Sequence, residues 1–218
     1  MYRIVFLNKL ILLAILFVLG CAQTQEPKEL PYYNEPNFTP LFIKSDKEAK
    51  QKITHTINAF SLTDQDNNLI TQKDIENKIH IANFIFTSCG SICPIMTKQM
   101  KIVEKEFGNN KDVVLLSYSV TPWIDSVTRL KKYADANKIE SNNWHLLTGG
   151  KKEIYDLARR SYFAEEDIGF TKDSSQFLHT EHVLLIDKTK RIRGIYNGTL
   201  QLEMEQLVKD IKTLKKEQ

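Results

Sequence analysis

The hydrophobic pattern changes period along the chain, and the changes mark out its elements. Leu10 to Leu19 is an unbroken apolar run of ten residues. After a polar stretch, Ile53 to Leu62 alternates weakly and leads into Asp64-Gln65-Asp66-Asn67-Asn68, a turn cluster, and then Leu69-Ile70-Thr71. This predicts a hairpin, with Thr71 capping a short helix over 72–76. Ile79 to Phe86 is apolar except at His80 and Asn83, which predicts a strand covered on both faces. Met96, Met100, Val103 and Phe107 fall at helical spacing, ended by Gly108-Asn109-Asn110. Val113 to Val120 reads as strand, Val127, Leu130 and Ala134 as helix with Tyr133 beside them, and Trp144 to Leu147 as a short strand closed by Gly149-Gly150. Ile154, Leu157 and Ala158 mark another helix, and Glu165 to Gln176 is polar and irregular, a surface loop. Val183–Ile186 and Ile192–Tyr196 flank Asp187-Lys188-Thr189-Lys190 as a second hairpin, and Leu200 to Leu214 follows helical spacing.

Strands alternating with helices, then a hairpin and a last helix, predict an α/β domain over residues 53–218. Its sheet is mixed, with helices on both faces and an N-terminal hairpin extension. This is the element order of a thioredoxin-like fold. One well-buried domain suits that length.

The first fifty residues read differently. Arg3 and Lys9 precede the apolar run, which is about half the roughly twenty residues a membrane-spanning helix needs. It fits the core of a signal peptide over residues 1–20. The run ends Val18-Leu19-Gly20-Cys21, which resembles a bacterial lipoprotein signal. That resemblance implies lipidation at Cys21 and anchoring of the domain on the extracytoplasmic, periplasmic side of a membrane. Residues 21–52 hold Pro27, Pro31, Pro36 and Pro40, four of the six prolines, and predict an extended tether. Tyr32, Tyr33, Phe38, Leu41, Phe42 and Ile43 are unusual in a pure linker and point to some packing against the domain.

Net charge is +3, and +1 without Arg3 and Lys9. Basic residues are interspersed with acids, so charge gives no case for nucleic acid. Three cysteines are too few for a disulfide scaffold. A structural zinc site needs four ligands, and there is no second close cysteine pair. No glycine-rich phosphate loop or serine nucleophile motif is present.

The chemistry concentrates at Cys89-Gly90-Ser91-Ile92-Cys93-Pro94, where the buried strand gives way to a helix. Pro94 suits the first position of a helix and places Cys93 at or near its N-cap. Both sulfurs then meet at a helix N-terminus, where the helix dipole favours thiolate. Thiolate is the nucleophile of disulfide exchange and a soft ligand suited to Cu(I).

Phe86-Thr87-Ser88-Cys89-Gly90-Ser91-Ile92-Cys93-Pro94 resembles the Cys-x-x-x-Cys-Pro signature of the Sco/SenC proteins. These are membrane-tethered, thioredoxin-like copper proteins that help assemble the binuclear copper site of cytochrome c oxidase. The resemblance implies a copper site of Cys89, Cys93 and a distal histidine. His179, six residues before Leu185-Ile186-Asp187, takes that place. The likeness runs from about Ile57 to Leu200. It includes Thr121-Pro122-Trp123-Ile124-Asp125-Ser126, similar to the family's Asp-Pro-x-x-Asp-Thr stretch, in which Asp125 matches. No proline follows Pro122, so the late proline of thioredoxin-type oxidoreductases is absent and His179 occupies that neighbourhood.

His55, His80 and His145 read as ordinary surface or core residues. His182 is a candidate auxiliary ligand, although in a strand it and His179 point to opposite faces. Met96 and Met100 read as core. The implied function is an anchored copper chaperone, holding Cu(I) or Cu(II) and passing it to an oxidase subunit. The alternative is a thiol–disulfide oxidoreductase, with Cys89 and Cys93 as the redox pair, that reduces a copper-receiving partner. A peroxidase ranks last: it needs Thr and Arg near an activated cysteine. Thr87 is present, but no arginine is close in sequence.

Overall fold

A computed structural model describes residues 29–164 and 180–217. Cys21, His179, the apolar run and the 165–176 loop lie outside the described residues. The core is β5 (Ile79–Ile85), buried at every residue. It pairs in parallel with β6 (Val113–Ser119), which pairs in parallel with β7 (Trp144–Leu147). On its other side β5 pairs antiparallel with β8 (His182–Ile186), which forms a hairpin with β9 (Ile192–Asn197). A strand buried on both faces must be apolar at both parities, and the sequence of β5 is.

The two parities of β5 face different layers. Ile79, Ile81 and Ile85 pack with Val113 and Leu115 under α2 (Ile92–Phe107), α3 (Val127–Ala136) and α5 (Gln201–Leu214). Ala82 and Phe84 pack with Leu116 and Tyr118 under α4 (Lys151–Asp156), which continues as a π-turn over Leu157–Ser161. Met96, Met100 and Val103 on α2 have no exposed surface, as their spacing predicts. This is the thioredoxin-like arrangement, with helices on both faces of a mixed sheet.

The first hairpin is shorter than the alternation suggests. Only β3 (Ser61–Thr63) and β4 (Leu69–Thr71) pair, because the chain before them satisfies its backbone elsewhere: the Ile57 N–H donates to the Lys190 carbonyl (2.9 Å). The Asp64 carboxylate fixes the turn by accepting from the N–H groups of Asp66 and Asn68. Gln65 then docks the hairpin against β7, donating to the Trp144 carbonyl and accepting from the Leu146 N–H. After β4, Thr71 and Asp74 form a capping box on a 3₁₀ turn, Gln72–Ile75.

Residues 30–52, expected within the tether, join the folded body. They form β1 (Tyr32–Tyr33), β2 (Pro40–Leu41) and α1 (Asp46–Lys52), and β1 pairs antiparallel with β9. The sheet order is thus β2-β1-β9-β8-β5-β6-β7. The cause is Arg193, only 5% exposed. Its guanidinium donates to the carbonyls of Leu30 and Pro31, pairs with Asp187 and Glu217, and lies 3.9 Å from the centre of the Tyr32 ring. A buried guanidinium needs such partners, and the N-terminal backbone provides two of them. Phe38 adds an aromatic contact, its ring edge-on to Tyr33, Phe163 and His182.

His80 is wholly buried beside Tyr162, whose hydroxyl lies 3.2 Å from Nε2 and 2.8 Å from the Tyr118 hydroxyl. The π-turn sets that tyrosine in place through a bond from its N–H to the Leu157 carbonyl, five residues back. Burial, with the charge of Lys190 adding to it, drives the His80 imidazole down to about 3.

Folding therefore favours neutral His80. The unfolded chain takes up its proton near pH 6.5, so stability is fully present above that pH and is lost as pH falls towards 3. The slope for this group is about 1.4 kcal/mol per pH unit. In urea titrations at pH 7.5 and pH 5, the wild type should lose about 2 kcal/mol more than His80→Phe. Equal losses would remove His80 from this role.

Candidate functional site: a dithiol corner

β5 ends at Ile85, and the chain turns through Phe86 to Ser91 before entering α2. The Cys89 N–H donates to the Phe86 carbonyl (3.2 Å), which closes the turn. The helix begins earlier than Pro94 suggests. Ser91 is the N-cap, so Cys93 is the second helical residue and Pro94 the third. The first four N–H groups of a helix have no partner within it, so a proline fits anywhere in that turn without losing a bond.

Both cysteines are free thiols, and their environments differ. Cys89 is half-buried. Partial burial alone would raise its pKa, but the N–H groups of Cys93, Ser91 and Ile92 and the Cys93 thiol point at its sulfur and hold it below the usual thiol range. Cys93 is 7% exposed and packs in the same layer as Met96 and Met100. Burial pushes its thiol up to about 12, against the Phe86 N–H, which favours the thiolate. One sulfur is thus a ready nucleophile and soft ligand, and its neighbour is held as the thiol.

The loop ahead of Cys89 is fixed from the head of α3. Asp125 is fully buried. It accepts from the Thr87 N–H (3.2 Å), the Thr87 hydroxyl (2.5 Å), the Ser119 hydroxyl (2.7 Å) and the Thr121 hydroxyl (3.0 Å). Arg129 lies 3.6 Å from the same carboxylate. Its guanidinium donates to the Thr87 hydroxyl (2.6 Å) and the Ser88 hydroxyl (2.7 Å). The arginine missing near Thr87 in sequence is therefore present in space. Its bonds go to the loop, however, and the Thr87 proton goes to Asp125, so the pair forms a clamp and not a peroxide cradle. The Asp125–Arg129 spacing of four residues fits a helical ion pair, but nothing in it points to Thr87 or Ser88.

Each remaining histidine among the described residues has a defined place. His55 stacks on Phe163 at 4.1 Å and bonds the Ser161 carbonyl, and His145 pairs with Asp64 at 3.0 Å. His182 shares a sheet face with Leu184 and Ile186, opposite the layer that holds Cys93. Its ring meets Phe38, so strand alternation separates it from the thiols. Among the described residues no group of three His, Cys, Asp or Glu side chains converges to hold a metal ion.

The sequence pattern of the SCO1/SenC family matches residues 48–216. The chain is similar to a SCO1/SenC family lipoprotein from Bacillus anthracis, with 28% identity and a TM-score of 0.64 over 75% of this chain and 96% of that one. It is similar to BsSco, a member of the Sco family of cytochrome c oxidase assembly proteins in which a disulfide switch was identified: 28% identity, TM-score 0.63, 75% of this chain and 95% of that one. It is also similar to copper-bound ScoI from Bradyrhizobium japonicum, with 25% identity and a TM-score of 0.57 over 72% of this chain and 98% of that one.

The two thiols should separate by reactivity. Limiting iodoacetamide at pH 7 should alkylate Cys89 at least about tenfold faster than Cys93, read by peptide mass spectrometry. Equal rates would contradict the asymmetry.

Proposed function

The chain belongs to the SCO1/SenC family, and from that premise we propose that it is an extracytoplasmic copper chaperone for cytochrome c oxidase assembly. Cys89 and Cys93 hold the ion as thiolates, His179 completes the site, and the metal passes to an oxidase subunit by ligand exchange. The observation that carries this reading is the dithiol corner itself. Two adjacent sulfurs, one already favoured as thiolate by three N–H groups, form a soft donor set suited to Cu(I). Binding displaces the proton that Cys93 otherwise keeps, so loading requires the reduced pair and releases protons. The copper-bound Bradyrhizobium relative supports the cargo. Lipidation at Cys21 would hold the domain at the membrane. The similarity to a Bacillus lipoprotein supports this, and among the described residues no helix is long and apolar enough to cross a membrane.

The asymmetry of the thiols favours a second reading, a thiol–disulfide oxidoreductase. The Cys89 thiolate attacks a partner disulfide, forming a mixed disulfide and releasing one partner thiolate. Cys93 then attacks Cys89 and releases the second. The two electrons come from this chain's dithiol, which ends as the Cys89–Cys93 disulfide.

Competition titration of the reduced protein with Cu(I) tests the first reading. One ion per chain is expected. Cys89→Ser and Cys93→Ser should abolish tight binding, and His179→Ala should weaken it by roughly tenfold, about 1.4 kcal/mol. Unchanged stoichiometry and affinity in His179→Ala would take that residue out of the site. Copper-free partner reduction at full rate in the same variant would favour the oxidoreductase.

A further inference from the structure

The geometry points to Arg129 as a positioning residue for Cys89, acting through Thr87 and Ser88. Three polar groups immediately precede the cysteine: the Thr87 N–H, the Thr87 hydroxyl and the Ser88 hydroxyl. All three are bound by the head of α3. Asp125 takes the first two, and Arg129 donates to both hydroxyls from two different nitrogens. On the other side of Cys89 the chain is solvent-exposed, and it meets the cysteine only through the N–H groups and thiol that point at the sulfur. A Cβ on Gly90 would meet nothing within 4 Å, and Ser91 and Ile92 are exposed. The helix-start N–H groups reach the sulfur of Cys89, while its backbone is set by the residues ahead of it, which the guanidinium ties to the rigid body.

The fork of Arg129 explains why this residue type is used. Its Nε and Nη2 span two successive side chains at 2.6 and 2.7 Å, a reach that a single ammonium does not reproduce. Arg129 is itself 46% exposed and fills no core position, so its loss leaves the buried layers intact. The buried carboxylate of Asp125 keeps its bonds from Thr87, Ser119 and Thr121 without it. What Arg129 adds is order in the loop before any ligand arrives. Ordering in advance lowers the conformational cost of binding and raises affinity without a direct contact.

The affinity arm of the test rests on the copper reading above, and a second arm does not. Arg129→Ala, Arg129→Lys and Ser88→Ala are compared with the wild type in the reduced protein. Amide hydrogen exchange is measured without metal at Thr87 and Cys89. Cu(I) affinity and the Cu(II)–thiolate absorption band are measured with it, and thermal unfolding serves as control. In Arg129→Ala the two amides should exchange about five- to tenfold faster while unfolding is nearly unchanged. Cu(I) affinity should fall about three- to tenfold, and the absorption band should shift. Arg129→Lys should resemble Arg129→Ala, and Ser88→Ala combined with Arg129→Ala should add less than its effect alone. Unaltered exchange in Arg129→Ala, or a lysine variant matching wild type in exchange and spectrum, would overturn the assignment. A wild type that binds no copper would sink the chaperone reading alone, because the exchange arm still decides the clamp.

Discussion

A carboxylate sealed from water must collect its hydrogen bonds from the protein, and Asp125 does so from three directions at once. Thr87 comes from the end of β5, Ser119 from the end of β6, and Thr121 from the loop that leads into α3. One buried group thus fixes how two parallel strands end relative to a helix start. The dithiol corner hangs from that junction. Removing the carboxylate would leave three hydroxyls and an N–H seeking partners in a dry place, where each orphaned group costs on the order of 1–3 kcal/mol.

Most of the scaffold could be read from residue order because its parts obey a single period. β5 carries apolar residues at both parities, and α2 repeats at four, three and four, so burial alone decides them. Trp144–Leu147 is another such case, framed by turn residues. Period failed where a specific bond competed with it. Ile53 to Phe60 alternates like a strand, yet Ile57 gives its N–H to Lys190. The prolines before residue 41 suggest an extended spacer and the aromatics beside them some packing, but not where: Arg193 needs backbone carbonyls and finds them at Leu30 and Pro31. The cysteine pair was legible because it is local. Arg129 was not: it lies 42 residues from Thr87, and only the fold brings it near.

The sheet also sorts the chemistry into two layers. The thiols and the methionines lie with α2, and the His80–Tyr162–Tyr118 chain lies on the other side with α4. His182 follows the second layer by strand parity alone. A soft, sulfur-rich face and a neutral imidazole core coexist less than one sheet apart. The backbone of β5 keeps them separate, since every side chain it places in one layer is denied to the other.

Arg193 has a mechanical meaning. It grips the chain at Leu30 and Pro31, towards one side of the sheet, and fastens the same spot to Glu217, after the last helix. The strand that feeds the thiols is three places further in, beyond β9 and β8. A load applied at Leu30 would be borne by β1, its pairing with β9, and the ion pairs of Arg193. The corner at Cys89 is thereby set apart, by two intervening strands, from any pull applied at Leu30.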